Sequence, residues 1–265
     1  MEARRGPGTA AEGTASGGTA AGGTATSGAV EVLRRRWTTE LRFAEGIGQS
    51  RMARWFPDRL LIDYTRTMLA PLLLLPADLR VGMVGLGGGS QAKFLHRHLP
   101  LARIEAFEID PAVLALRRTF RVPEDDARLC VRLGDAAAML PLRPAAYDLL
   151  LVDGYDAHGI PPALSTPAFY AAARASLRPG GVLAGNLYAT DHARHAAHLR
   201  AAFGEDAVRL LEEPRQCNRV AFGLVPPGAA GRVPHRHSAA AALPRLARWQ
   251  LRAEFARLRA ALGMA

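Results

Sequence analysis

At 265 residues the chain is long enough for one large α/β domain with decorations, and a hydrophobic content of 49% can fill its core. A formal net charge of +10 would ordinarily point to nucleic acid or an acidic surface, but Lys93 is the only lysine and the arginines are scattered at helical intervals among many alanines. No stretch interleaves basic and aromatic residues, the apolar run from Met68 to Leu75 is interrupted by Pro71 and too short to cross a bilayer, and Cys130 and Cys217 lack metal-site spacing; no nucleic-acid partner, no membrane segment, no metal and a cytoplasmic setting are expected.

Residues 1–30 are almost wholly Gly, Ala, Thr and Ser and read as a disordered leader, without the apolar core of a secretory signal. Residues 31–76 are expected to form a small N-terminal β element, with RWTTELRF as a strand and FAEGIGQSRM turning into another. The segment IDYTRTMLAPLLLL (62–75) then reads as an amphipathic helix with Tyr64, Met68 and Leu72 on one face. The core is expected over 77–225. Its first strand, Val81 to Val84, enters a glycine run, and a helix from Ser90 to Leu99 leads to a second strand, Ile104 to Ile109.

PAVLALRRTF continues as a helix with proline in its first turn, followed by the strand LCVRLGD, the fully apolar strand YDLLLVD, and a helix from Pro167 to Leu177. RPGG reads as a turn before the strand GVLAGNL; a helix over Arg194–Phe203 and the strand RVAFGLV close the core. This alternation predicts a doubly wound, mostly parallel sheet, with ligands at the carboxyl ends of its strands. Residues 226–238 read as a linker and 239–265 as a C-terminal helix. There Leu251, Phe255, Leu258 and Leu262 make an apolar stripe for docking on this chain or on a second copy, and a homodimer is expected.

The stretch VGLGGGSQAKFLHRHLPLARIEAFEID carries the first chemical signal. Gly85, Gly87 and Gly89 lack Cβ atoms and let a cofactor approach the backbone, while Glu108, about 20 residues on, can accept hydrogen bonds from ribose hydroxyls. The spacing G-x-G-G-G with Ser90 at the sixth position departs from the dinucleotide pattern and tilts toward S-adenosylmethionine-type cofactors, whose Rossmann-like folds have no pyrophosphate to cradle. Glu108, Asp135 and Asp153 each end a strand, which places three carboxylates along one rim. His96 and His98 do not share a helical face and read as surface residues, as do His192, His195 and His198; His158 falls in a candidate substrate loop.

From Asp153 onward the residues are more specific. Asp153 and Asp156 form D-x-x-D, Gly159 and Pro161 follow, then Leu164, Thr166, Phe169 and Tyr170 open a helix that ends in Arg178 to Gly181. This pattern resembles the spermidine synthase family, the polyamine aminopropyltransferases, especially its short bacterial spermidine-synthase-like branch, over residues 45–225. The resemblance implies the methyltransferase-type Rossmann-like fold and transfer of an aminopropyl group from decarboxylated S-adenosylmethionine to a diamine such as putrescine, releasing methylthioadenosine. It assigns Glu108 to the ribose and Asp135 to the adenine, with Asp156 as base and Asp153 as holder of the acceptor amine. Gln49 is expected to touch the donor, and Tyr155 and Tyr64 to face the substrate.

Two departures stand out. The family's glycine run carries an acid where this chain has Gly88, and the family's Tyr-His-Glu becomes Tyr64-Thr65-Arg66, whose arginine would repel a polyamine if it faced the site. An S-adenosylmethionine-dependent methyltransferase and a noncatalytic nucleoside-binding relative are the alternatives.

Overall fold

The structure is a computed structural model that describes residues 30–43, 48–156, 158–188, 190–213, 218–228 and 237–264. The leader and most of the linker fall outside these residues. Three antiparallel strands come first, β1 (Val30–Arg34), β2 (Thr38–Phe43) and β3 (Gly48–Ala53), in the order β1-β2-β3. The expected helix over 62–75 is instead a single turn, α1 (Asp63–Thr67), followed by a 3₁₀ turn at Ala70–Leu73. Pro71 sits at the start of that turn, where its missing N–H is tolerated but a continuous α-helix is not.

The main sheet contains β4 (Arg80–Val84), β5 (Arg103–Glu108), β6 (Leu129–Leu133), β7 (Tyr147–Val152), β8 (Leu177–Tyr188), β9 (Val208–Glu212) and β10 (Asn218–Leu224). Their order is β6-β5-β4-β7-β8-β10-β9. The first five run parallel, and β10 joins β8 and β9 antiparallel. The chain winds outward from β4 in one direction and from β7 in the other, so the topological switch point, where such sheets bind ligands, lies between their carboxyl ends.

Helices cover both faces: α2 (Ser90–His98), α3 (Pro111–Ala115), α4 (Ala136–Met139), α5 (Pro167–Ala175) and α6 (His192–Phe203). The continuous apolar run of β7 follows from this double cover. Leu149 and Leu151 pack into one core with Met68, Leu72, Phe94 and Leu95, while Leu150 packs into the other with Phe169, Leu183 and Leu199. RPGG is not a free turn. It lies within β8 at a shift in the β7 register, with Gly180 at φ +80° and its N–H bonded to the Pro226 carbonyl, so the strand bulges and continues.

The single C-terminal helix expected over 239–265 is three short ones, α7 (Ala239–Ala242), α8 (Arg245–Gln250) and α9 (Arg252–Ala261). Leu251, Phe255 and Leu258 are buried on the chain's own core with Leu262 packed against them, so the stripe offers no free face to a second copy.

Candidate active site

The glycine loop after β4 and Asp153 after β7 meet at the switch point. Gly85 holds φ +86°, and a Cβ there would lie 2.3 Å from the Asp153 carbonyl oxygen, so only glycine lets the two strand ends approach. Gly87 and Gly89 also have positive φ. Gly88 donates its N–H to Ser50 Oγ at 2.9 Å, and a Cβ at 88 would stand 2.8 Å from Ser50 Cβ and 3.0 Å from a Phe120 ring carbon. The space that the resembled family gives to an acid is therefore filled by β3.

Glu108, buried at the end of β5, accepts the N–H of Leu86 at 2.9 Å and of Gly87 at 3.3 Å on Oε2, and that of Asp110 at 3.0 Å on Oε1. The carboxylate thus shapes the glycine loop, and Oε1 keeps a lone pair for a ribose hydroxyl. Asp135 caps α4 by accepting the Ala137 N–H at 2.8 Å. Gln49 lies in β3 beside Ser50, and its side chain is outside the described residues.

A pocket opens against the loop, lined by Ser50, Ile62, Tyr64, Thr65, Met83, Gly85, Leu86, Ser90, Gln91 and Asp153; among the described residues Asp153 is the only carboxylate that lines it. Both Asp153 oxygens are held: Tyr64 donates its hydroxyl to Oδ2 at 3.0 Å, and Asn186 donates Nδ2 to Oδ1 at 2.9 Å. Asn218 donates in turn to Asn186 Oδ1 at 2.8 Å, which fixes the amide with its NH₂ toward the carboxylate. Burial pushes the Asp153 carboxyl above its ordinary range and the two donors pull it back, while Tyr64 is driven well above its usual value by burial and by Asp153 and stays a donor. Gln91 anchors α1 to α2 through the Thr65 carbonyl at 3.2 Å. Asn186, Asn218 and Gln91 were not singled out in the sequence; only the strand-end position of Asn186 in GVLAGNL could have signalled it.

Asp156 has different partners from Asp153. Asp156 sits in a tight turn, its backbone paired with Gly159 and its Oδ1 accepting the His158 N–H at 2.8 Å, and it does not line the pocket. Tyr155 is a brace, donating to the Asn186 carbonyl at 2.9 Å and accepting the Tyr188 N–H at 2.7 Å. Arg66 points away from the pocket, paired with Asp63 and with Glu254 of α9 and donating to the Leu60 carbonyl. One turn on, Arg257 of α9 donates to Thr67 Oγ1 and Glu213, both at 3.2 Å, so α9 grips the short helix that carries Tyr64.

The histidines are more engaged than expected. His195 is fully buried between Tyr170 (2.7 Å) and Thr190 (3.0 Å), and burial lowers its pKa to about 4. His96 and His98 are half-buried and each pairs with an aspartate at 2.8 Å, Asp126 and Asp58. Among the described residues, no group of three His, Cys, Asp or Glu side chains is placed to hold a metal ion, and no helix is long and apolar enough to cross a membrane.

The sheet order, the glycine loop and the strand-end acids define the α/β Rossmann-like fold of S-adenosylmethionine-dependent methyltransferases, with a reduced N-terminal β element. Among known proteins, the chain is similar to the polyamine aminopropyltransferase of Chromobacterium violaceum, 32% identical over 159 residues that make up 60% of each protein, so the match spans about 60% of that relative's length. Its fold matches a probable spermidine synthase from Corynebacterium glutamicum with a TM-score of 0.65 at 20% identity, covering 74% of this chain and 76% of that one. It also matches human methyltransferase-like protein 13 in complex with SAH, with a TM-score of 0.57 at 24% identity, covering 74% and 91%. No protein-family model matches the chain.

Proposed function

We propose that the chain is an aminopropyltransferase that moves an aminopropyl group from decarboxylated S-adenosylmethionine to an amine such as putrescine and releases methylthioadenosine. One observation carries the reading: Asp153, the only carboxylate among the described residues that line the pocket beside the glycine loop, has both oxygens oriented by neutral donors. An ammonium acceptor must lose a proton before its nitrogen attacks the carbon next to the sulfonium; the C–S bond then breaks and its electron pair stays on sulfur. Asp153 is placed to attract that ammonium and take its proton, and burial raises its affinity for the proton toward what a base needs.

This exchanges the roles expected for the two aspartates. Asp153 takes the base role, and Asp156, with one oxygen committed to its own turn, borders the loop where the acceptor enters. Glu108 holds the ribose through Oε1, Asp135 the adenine, and the glycine loop the sulfonium end. We place this chemistry in the cytoplasm, a reading supported by the absence of metal-site or disulfide spacing around the two cysteines.

Methylthioadenosine release from decarboxylated S-adenosylmethionine and putrescine tests the reading, with Asp153→Asn expected to lower turnover by about 10²–10⁴-fold. No release with any diamine would overturn it. Methyl transfer from ordinary S-adenosylmethionine is the second reading, favoured by the lack of room for a side chain at Gly88; a donor comparison by calorimetry separates the two.

A further inference from the structure

Against the expectation of no nucleic-acid partner, the fold brings two short basic-aromatic stretches together, Arg36-Trp37 and Arg54-Trp55-Phe56. At one end of the N-terminal hairpin the Arg54 N–H bonds to the Trp37 carbonyl at 3.0 Å and the Arg54 guanidinium to the Arg36 carbonyl at 3.4 Å, while Arg121, from beyond α3, donates to the Arg54 carbonyl at 2.9 Å. Three aromatic rings stand out of this junction, Trp37 at 58% exposure, Trp55 at 75% and Phe56 at 64%, and the Arg36 guanidinium lies 4.7 Å over the Trp37 ring.

The arginines here differ from their neighbours. Arg35, Arg42 and Arg51 on the same small sheet all pair with the buried Glu40, whereas among the described residues no carboxylate pairs with Arg36, Arg54 or Arg121. Along the chain the nearest acid to Arg36 is Glu40, taken by those three arginines, and the nearest to Arg54 is Asp58, engaged by His98; Glu124, three residues from Arg121, forms no ion pair with it.

We propose that this surface binds single-stranded nucleic acid, with bases stacking on Trp37, Trp55 and Phe56 and phosphates meeting the three arginines. Exposed π faces beside guanidinium groups that no described carboxylate neutralises are what an unstacked strand requires, since every base offers a face to stack and every nucleotide a charge to neutralise. A second copy of the chain fits poorly, because a two-fold contact would gather both sets of three arginines into one interface without a described carboxylate paired to them. The surface also adjoins the candidate active site: β3 carries the chain from Ser50, at the glycine loop, to Ala53, and Arg54 follows at once, about 13 Å from Ser50 at the rise of an extended strand. The inference does not rest on the aminopropyl-transfer reading.

Fluorescence anisotropy with a labelled single-stranded oligonucleotide, at several salt concentrations, tests it on the full chain. The expected result is salt-dependent binding, at least roughly 10-fold weaker in the Trp37→Ala/Trp55→Ala variant and restored by Trp37→Phe/Trp55→Phe. Removing Arg36, Arg54 and Arg121 should reduce the slope of log affinity against log salt by about 2. Absence of binding, equal affinity in the alanine variant, preference for anionic vesicles, or a change of the alanine variant from dimer to monomer in sedimentation with oligonucleotide binding intact would each overturn the proposal.

Discussion

Replacing Glu108 with alanine should damage the protein twice. Its carboxylate accepts three backbone N–H groups, from Leu86, Gly87 and Asp110, at a position only 7% exposed. A hydrogen bond to a charged group contributes roughly 1.5–3 kcal/mol, and a buried donor left without a partner costs about 1–3 kcal/mol. With one of the three bonds long, at 3.3 Å, and some water able to enter the vacated space, a loss of about 3–5 kcal/mol is expected, a large share of the roughly 5–15 kcal/mol of a typical domain. Sequence alone gave Glu108 only a ribose to hold, and truncation would then leave stability untouched. Urea unfolding of wild type and Glu108→Ala, with Glu108→Gln as an intermediate that keeps one acceptor oxygen, measures the difference. A loss below about 1 kcal/mol would show that the carboxylate does not hold the glycine loop, and unchanged affinity for methylthioadenosine in a folded variant would remove its ligand role.

If Asp153 is the base, activity should rise with pH through a value above the ordinary carboxylate range, and Tyr64→Phe or Asn186→Leu, each removing a donor to the anion, should move that limb higher in a pH–rate profile. His195, lowered from 6.5 to about 4 in the folded state, binds fewer protons folded than unfolded within that window. Stability should therefore fall as pH drops from about 6.5 through 4, by at most about 3 kcal/mol, and His195→Gln should flatten that slope in denaturant titrations at each pH. Arg257→Met leaves the Glu213 carboxylate buried without its cation and should cost roughly 3–5 kcal/mol by the same measurement; Arg200→Ala, at an exposed pair with Glu205, should cost at most about 1 kcal/mol.

The core was readable because each of its signals is local. The apolar run of β7 needs cover on both faces, Gly85 and Gly89 mark backbone forced to positive φ, and a carboxylate closing a strand points to the sheet's ligand-binding edge. What escaped the sequence depends on partners far along the chain. Nothing near Asn186 announces Asn218, and nothing near Arg66 announces that Glu254 draws it away from the pocket. His195 looked solvated among alanines and arginines because its partner, Tyr170, lies on another helix. The 62–75 segment was misjudged for a different reason: its periodicity was right, but a proline inside the run outweighed it.

The grip of α9 on α1 also bears on the order in which the molecule can be made. Arg66 and Glu254 are 188 residues apart, and Arg257 and Thr67 are 190 apart, so the turn that carries Tyr64 leaves the ribosome long before the helix that secures it exists. At the usual pace of about 5–20 residues per second, that interval lasts roughly 10–40 seconds. During it, β4 to β8 can assemble, but a five-residue helix with no side-chain cap has little means of staying in place. Nascent chains stalled after β10 should therefore hold a formed sheet beside an unfinished pocket, and competence to bind substrate should appear only once α9 has emerged.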